Sequence, residues 1–284
     1  MSPELIIPEG ITRIDDCAFA NCNCLSSITI PSTVTYIGDS AFEGCRCLQT
    51  VIFAQNSKLT KIGESAFADC SNLYNIVIPE GVTRIEDYTF AGCTNLYNVF
   101  LPDSCTYIGD FAFKSCEKLV QPSFSNYLEY VGDGAFANCS SLNTAIPFAD
   151  SVKHIGKAAF ADCISLEAIY IPYSLKDISD CLFDGCLNLN TVRLPMGVSR
   201  IGKLAFNDCV NLCEVFFPES LTEICDYAFK RCINLSEITF NGTVTIGESA
   251  FLGIDFPNIY VAKDSKLNAA SYFGDCYCPT LYII

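Results

Sequence analysis

The single histidine, His154, is the only imidazole available for a Ser-His-Asp or Cys-His arrangement. It stands directly before Ile155, at a position where equivalent segments of the chain carry Arg13, Tyr36 or Glu223. A position this variable predicts an exposed surface side chain. The sequence also lacks a G-x-G-x-x-G turn, a phosphate loop and an H-E-x-x-H pair. We therefore expect no enzymatic activity and assign no catalytic residue, no metal site and no cofactor.

Nineteen cysteines are the next residues that could carry chemistry. Ten of them recur three residues after a phenylalanine, from Cys22 to Cys232. Equivalent residues in stacked parallel turns would lie about 5 Å apart, which is within the disulfide range, but side chains that point the same way suit the disulfide torsion poorly. We therefore expect most of these ten thiols to be buried, reduced and packed as small hydrophobic groups.

Two C-x-C pairs, at 22–24 and 45–47, occupy equal positions in successive segments. A zinc site, a Cys24–Cys47 disulfide and two exposed free thiols are the alternatives, and free thiols are the default because zinc needs four tetrahedral ligands. For a third such pair, Cys276 and Cys278, the sequence leaves open whether the two cysteines form disulfides or stay free.

Acidic residues form a second column. A calcium site would need several oxygens converging on one point, which the sequence does not indicate. The pattern favours helix N-caps, in which a carboxylate accepts unpaired backbone N–H groups. The column holds an acid in nine of eleven segments: Asp16, Asp39, Glu64, Asp87, Asp110, Asp133, Asp180, Asp226 and Glu248.

Composition limits the classes of partner. The net charge of −15 argues against nucleic acid and anionic membrane surfaces, which both require basic patches. No apolar run approaches the roughly 18 residues of a membrane span. Residues 1–8 show no basic segment or cleavage site typical of a signal peptide. The sequence itself leaves the compartment unknown.

These columns belong to a repeat of about 23 residues that occurs eleven times. Its consensus is L-x-x-I-x-I-P-x-x-V-x-x-I-G-x-x-A-F-x-x-C-x-x-L. The anchoring phenylalanines are Phe19, Phe42, Phe67, Phe90, Phe113, Phe136, Phe160, Phe183, Phe206, Phe229 and Phe251.

A unit of this length cannot bury its own apolar side, whereas stacked units cover one another. The alternating I-x-I stretch predicts strands that pair in parallel and in register. The V-x-x-I stretch predicts a short second strand, and A-F-x-x-C predicts one helical or 3₁₀ turn. We expect a β-rich α/β solenoid of about eleven turns, with a single curved parallel sheet on its concave face and the helical turns on its convex side.

The repeat resembles the BspA-like leucine-rich repeats along almost the whole chain. That resemblance implies a curved solenoid with a binding role, since such proteins are typically surface or secreted proteins and several are adhesins. It also implies that residues 255–284 form a capping unit, a final strand followed by a short helix, after a repeat domain at 1–254. The first turn has no capping segment, so self-association through that end is an alternative.

Partner choice should depend on outward positions of the strands. A protein partner, from a host or a microbial surface, is the favoured ligand because exposed aromatic residues often mark interfaces. A carbohydrate ligand and a self-assembling structural array are the alternatives. The same aromatic residues could equally reflect strand propensity alone. The predicted partner-binding residues are Tyr74, Tyr97, Phe100, Tyr170, Arg193 and Phe216.

Overall fold

The chain is a parallel β-solenoid of about eleven turns of about 23 residues. The computed structural model describes residues 3–120, 122–143, 146, 148–240, 242–254, 258–261 and 280–283. The chain forms two compact units, Met1–Leu142 and Asn143–Ile284.

The first unit contains a five-stranded main sheet. Its strands pair in parallel, each with the equivalent strand one turn later, as when Ile28 pairs with Val51. The period-two burial places Ile28 and Val51 inside and Ile52 outside. The strands are β1 (Glu4–Ile6), β3 (Ser27–Ile30), β5 (Thr50–Phe53), β7 (Asn75–Val77) and β9 (Asn98–Phe100).

Two-residue strands lie at the predicted second position of each turn. β2, β4 and β6 pair in parallel, and so do β8, β10 and β11. Their second residue is always a buried Ile or Val. The bounds are β2 (Arg13–Ile14), β4 (Tyr36–Ile37), β6 (Lys61–Ile62), β8 (Arg84–Ile85), β10 (Tyr107–Ile108) and β11 (Tyr130–Val131).

The second unit repeats both kinds of strand. Its short strands are β12 (His154–Ile155), β13 (Asp177–Ile178), β15 (Arg200–Ile201), β17 (Glu223–Ile224) and β19 (Thr245–Ile246). Its main strands are β14 (Thr191–Arg193), β16 (Glu214–Phe216), β18 (Glu237–Phe240), β20 (Asn258–Val261) and β21 (Thr280–Ile283). β14 pairs with β16, and β18, β20 and β21 form a three-stranded parallel sheet.

The single uninterrupted main sheet that the repeat predicted is not seen among the described residues, where the main strands fall into separate sheets. Between β9 and β14 the described residues show isolated bridges, Phe100–Ser123 in the first unit and Ile146–Ile169 and Ala168–Thr191 in the second, and the strand positions 121, 144, 145 and 147 lie outside the described ranges. Pro122 supplies a physical reason in the sixth turn, because it stands at an inward strand position and has no N–H to donate to the ladder.

The predicted helical or 3₁₀ turns are also not found among the described residues, where the A-F-x-x-C segments are chains of tight turns. In the second turn, the N–H groups of Ser40, Phe42 and Gly44 bond to carbonyls of the following turn at 2.8 Å. The intervening donors bond three residues back instead, Ala41 at 3.4 Å and Glu43 and Cys45 at 3.1 Å. A 3₁₀ helix needs consecutive bonds of that second kind. Positive φ angles at Ser40 and Gly44 make the alternation sterically feasible.

The acidic column caps neighbouring turns instead of helices. Asp39 Oδ1 accepts the backbone N–H of Glu64 at 3.0 Å, and Asp110 Oδ1 accepts that of Asp133 at 2.8 Å. In the second unit, Asp180 Oδ1 accepts the N–H of Lys203 at 3.0 Å. The carboxylate therefore satisfies a donor one turn ahead of it.

The core consists of stacked columns of identical side chains. In the first unit the phenylalanine rings stack face to face from Phe19 to Phe136, with centroids 5.1–5.5 Å apart. The second unit has the same stack from Phe160 to Phe251, with separations of 5.0–6.0 Å. The prediction of an internal phenylalanine column is confirmed within each unit.

The boundary of the predicted capping unit, 255–284, stays a prediction. Its final strand corresponds to β20, which pairs with β18 on one side and β21 on the other. The predicted short helix, and the pair Cys276 and Cys278, lie outside the described residues.

Candidate binding surfaces

His154 is exposed at the start of β12, as its variable position predicted. Among the described residues, no group of three or more His, Cys, Asp or Glu side chains is arranged to hold a metal ion.

The column cysteines form hydrogen bonds with backbone carbonyls of the preceding turn. The thiol of Cys93 donates to the carbonyl of Phe67 with Sγ 3.1 Å from the oxygen, and Cys116 bonds to Phe90 in the same way at 3.2 Å. Burial raises the pKa of Cys45 to about 11 and raises that of Cys93 further. Thiols held protonated in this way are poor nucleophiles and poor metal ligands.

All seventeen cysteines within the described ranges are free thiols. Cys24 and Cys47 are both exposed free thiols, and the disulfide that the C-x-C pairs left open is not formed in this structure. Most column thiols are buried, as expected from their apolar surroundings.

The first unit exposes an apolar strip along the carboxyl ends of its main strands, formed by Ile52, Val77 and Phe100. Register places Val77 opposite Phe100, and the Thr50–Asn75 pair places Ile52 opposite Val77. Val77 is 62% exposed and Phe100 45% exposed. Three apolar side chains on adjacent paired strands thus meet solvent together.

A cavity of about 580 Å³ adjoins this strip, and Ile52 and Val77 line it. Its far wall comes from Asn56 and Ser57, within a third repeat unit that is 25 residues long instead of 23. The longer connection therefore builds a rim beside the apolar strip.

A second strip on the same unit carries tyrosines and amides at the amino ends of the strands. Tyr74 and Tyr97 are stacked with ring centroids 5.6 Å apart, and they are 53% and 39% exposed. Beside them Asn95 donates to Asn72 Oδ1 at 3.2 Å, and Lys118 Nζ donates to Asn95 Oδ1 at 2.5 Å. We call these residues, with Gln49 and Thr50, the tyrosine–amide strip.

The second unit places its three predicted residues around one cavity of about 600 Å³, which Tyr170, Arg193 and Phe216 line. The guanidinium of Arg193 lies 4.8 Å from the centre of the Phe216 ring. The Tyr170 hydroxyl lies 3.4 Å from Asp150 Oδ1, within hydrogen-bond distance. The cavity volume falls within the usual range for ligand sites.

Sequence reasoning missed two members of this cluster. Tyr173 packs edge-on against Tyr170 at 5.9 Å, and Met196 is 83% exposed at the cavity rim. Both follow a strand-ending proline, Pro172 or Pro195, where the consensus predicted only a loop. The presence of an apolar residue directly after that proline could have indicated Tyr173 and Met196 from the sequence.

A column of exposed aliphatic residues on the second unit was missed as well. It occupies the position directly after the column cysteine, where the first unit carries polar residues such as Arg46 and Thr94. Its exposed members are Ile164, Leu187 and Ile233, and Val210 in the same column is half-buried.

The fold and these faces define a leucine-rich-repeat binding scaffold. The family model of the BspA type leucine rich repeat region (6 copies) matches residues 2–119, 60–179 and 153–278. The chain belongs to this family.

Solved structures agree with the fold. A leucine-rich repeat protein from Bacteroides ovatus is 25% identical, with a TM-score of 0.65 over 99% of this chain and 92% of that one. The pneumococcal vaccine antigen PcpA is 21% identical, with a TM-score of 0.56 over 99% of this chain and 83% of that one. A leucine-rich repeat protein from Eubacterium ventriosum is 24% identical, with a TM-score of 0.51 over 88% and 82% of the two chains.

Comparison with curated proteins gave no match. Within the described ranges, no helix has the length and apolar character needed to cross a membrane.

Proposed function

We propose that this chain is a non-enzymatic scaffold that holds a protein partner on the outward faces of its main sheets. The anchors are Tyr97 and Phe100 with Tyr74 in the first unit, and Tyr170, Arg193 and Phe216 in the second. The partner is a surface protein of a host or of another microbe, in keeping with the surface location and adhesive roles that the family resemblance implies.

The observation that carries this proposal is the apolar strip of Ile52, Val77 and Phe100. β5 and β7 are paired on both sides, so their backbone is fixed. A rigid strand holds aromatic and aliphatic side chains at little further entropic cost when a partner binds. The inward columns are already filled by core residues, so outward side chains determine which partner is recognised.

The second unit supports the same function with different chemistry. Arg, Tyr and Met are enriched at protein interfaces, and here Arg193, Tyr170, Tyr173 and Met196 surround one cavity. The acidic net charge favours a partner with a basic surface.

An array of purified extracellular proteins from hosts and bacterial surfaces tests the proposal. Affinity for each bound protein is then compared between the wild type and the double variant Tyr97→Ala/Phe100→Ala. Truncation of interface anchors costs about 2 kcal/mol or more, so we expect a loss of about 30-fold. The thermal midpoint should stay nearly unchanged, because both side chains are exposed.

Tyr88→Asn is the matched control. Tyr88 is an aromatic residue with 43% exposure at a turn of the same unit, and asparagine tolerates its φ of 56°. The control should bind normally. Normal binding by the double variant together with lost binding by Tyr88→Asn would place the partner on the turns and contradict the proposal.

A further inference from the structure

Tyr74 stands at the end of a stack of tyrosines. Its backbone N–H bonds to the Gln49 carbonyl, and that of Tyr97 bonds to the Tyr74 carbonyl, so these three residues occupy one column in successive turns. Tyr97 covers one face of the Tyr74 ring. On the other side the column changes from an aromatic residue to the narrower Gln49. A cavity of about 480 Å³ adjoins Tyr74 and is lined by residues from the turns on both sides of it, Gln49 and Thr50 among them.

The lining of this cavity is polar and neutral apart from one ammonium group. It is formed by Gln49, Thr50, Asn72, Tyr74, Asn95 and Lys118. None of these six residues is a carboxylate, although the chain has 32 Asp and Glu residues and a net charge of −15. The site therefore differs in charge from the protein around it.

Several polar groups here have bonding capacity left. Neither the Gln49 amide nor the Thr50 hydroxyl takes part in any side-chain hydrogen bond found within the described residues, and both are exposed. Each primary amide offers two donors and one acceptor oxygen. By contrast, Asn72 and Asn95 are already bonded to the Arg46 and Ser71 carbonyls at 2.7 Å, which fixes their orientation.

This combination matches the chemistry of a sugar ring. A pyranose has a face of C–H bonds with partial positive charge, which suits the negative face of an aromatic ring. Around its edge it carries vicinal hydroxyls that both donate and accept, as amides and hydroxyls do. A polyanion would instead be repelled by the acidic protein, with Lys118 as the one cation in the cavity lining.

We propose that the tyrosine–amide strip binds a neutral oligosaccharide, with one sugar unit stacked on the free face of Tyr74. Gln49 and Thr50 then bond its hydroxyls, while Tyr97 supports the Tyr74 ring from behind. This inference goes beyond the proposed function, since it assigns a second ligand class to the tyrosine–amide strip, which shares Tyr74 and Tyr97 with the proposed protein-binding surface. Its test uses Tyr74 and Gln49, whereas the test of the proposed function uses Tyr97 and Phe100.

Three variants test the site directly. Tyr74→Ala removes the stacking ring, whereas Tyr74→Phe retains it. Gln49→Tyr extends the existing tyrosine stack by one turn and fills the cavity. Because both positions are exposed and the tyrosine stack already exists one turn later, we expect thermal midpoints close to that of the wild type.

The probes are a glycan array of neutral, sialylated and sulfated oligosaccharides, followed by titration calorimetry with the best neutral glycan. We expect binding of neutral glycans, a loss of at least tenfold for Tyr74→Ala and Gln49→Tyr, and retention within about threefold for Tyr74→Phe. Phe100→Ala, at the apolar strip, should bind the glycan as the wild type does.

Several results would overturn the inference. These are an array without any neutral glycan bound, binding restricted to sialylated or sulfated glycans, or full affinity in Gln49→Tyr. The proposed function would be unaffected by any of them, because it is tested by protein binding in the Tyr97→Ala/Phe100→Ala variant.

Discussion

The carboxylate oxygen Oδ1 of Asp87 lies 2.4 Å from the point where a β-carbon on Gly109, one turn later, would stand. The same oxygen accepts the backbone N–H of Asp110 at 2.8 Å. Glycine thus makes the room that lets each carboxylate reach the next turn. The sequence follows this rule throughout. Every aspartate of the column that has a following turn is followed there by glycine, whereas Glu64, Lys157 and Lys203 are followed by Glu86, Ser179 and Cys225.

Gly109→Ala should lower the free energy of unfolding by about 1–3 kcal/mol, the usual cost of overpacking a tight site. Asp87→Ala should cost about 1 kcal/mol, because it removes one hydrogen bond. Part of the alanine clash is with Oδ1, so the double variant should lose less than the sum of the two, by about 0.5–1 kcal/mol. Urea denaturation of the four proteins measures this coupling, and additive losses would show that the carboxylate is not what requires glycine.

The phenylalanine stack predicts a difference between its end and its middle. Phe113 is fully buried between Phe90 and Phe136, at 5.4 and 5.2 Å, whereas Phe19 is half-buried and stacks only on Phe42. Phe113→Ala should cost about 3–5 kcal/mol of stability. Phe19→Ala removes less buried area and should cost about 1–2 kcal/mol. Equal losses in chemical denaturation would show that the burial of each ring does not determine how much it contributes to stability.

The repeat was predictable from the sequence because its recurring positions are residues that point into the core. Ile28, Val51 and Ile76 recur at a fixed distance from Phe, and the period of the repeat alone sets their parallel register. Pro122 indicates a weak point of the strand ladder in the sixth turn, because proline has no N–H to donate. The exposure of Phe100 followed from strand alternation, whereas Tyr74 and Tyr97 flank the strands and are exposed just before them. The binding role of all three stays a prediction.

Other features depend on contacts between turns that no single repeat encodes. A-F-x-x-C has the spacing of a helical turn, but the N–H of Phe42 bonds across to Ala66 instead of along its own turn. The aspartates were interpreted as helix caps for the same reason, since a carboxylate near a tight turn usually bonds within it. The pairing of Asp87 with Gly109 could have corrected this, because it links positions one turn apart.

The acidic column should respond to ionic strength but not to calcium specifically. Carboxylates in successive turns lie about 5 Å apart and repel one another, and salt screens that repulsion. We expect the thermal midpoint to rise by about 2–4 °C, roughly 1 kcal/mol, between low and physiological sodium chloride. Calcium chloride at matched ionic strength should give the same rise. A further, concentration-dependent gain with calcium would indicate a bound ion and contradict the interpretation of these residues as inter-turn caps.

The buried thiols should make the protein lose stability at alkaline pH, and Cys105 gives the sharpest test. Burial raises the pKa of its thiol from the usual 9.0 to about 11. Between these two values the unfolded chain releases the proton while the folded chain keeps it, so the unfolded state binds fewer protons. Stability then falls as pH rises, by at most about 1.4 kcal/mol per pH unit for one thiol. Below pH 9 both states are protonated and this loss disappears.

Cys105→Val isolates that contribution. Cys105 is fully buried at the position where the neighbouring turns carry Val82 and Leu128, so valine fits the column and should change stability little at pH 7. From pH 9 to pH 11 the variant should lose stability less steeply than the wild type. The remaining slope belongs to the other buried thiols, such as Cys45, and to tyrosines such as Tyr107 and Tyr130, whose pKa burial also raises. Guanidinium denaturation at closely spaced pH values measures both slopes. Identical slopes would mean that the Cys105 thiol ionises as readily in the folded protein as in the unfolded chain, and burial would then not be what keeps these cysteines unreactive.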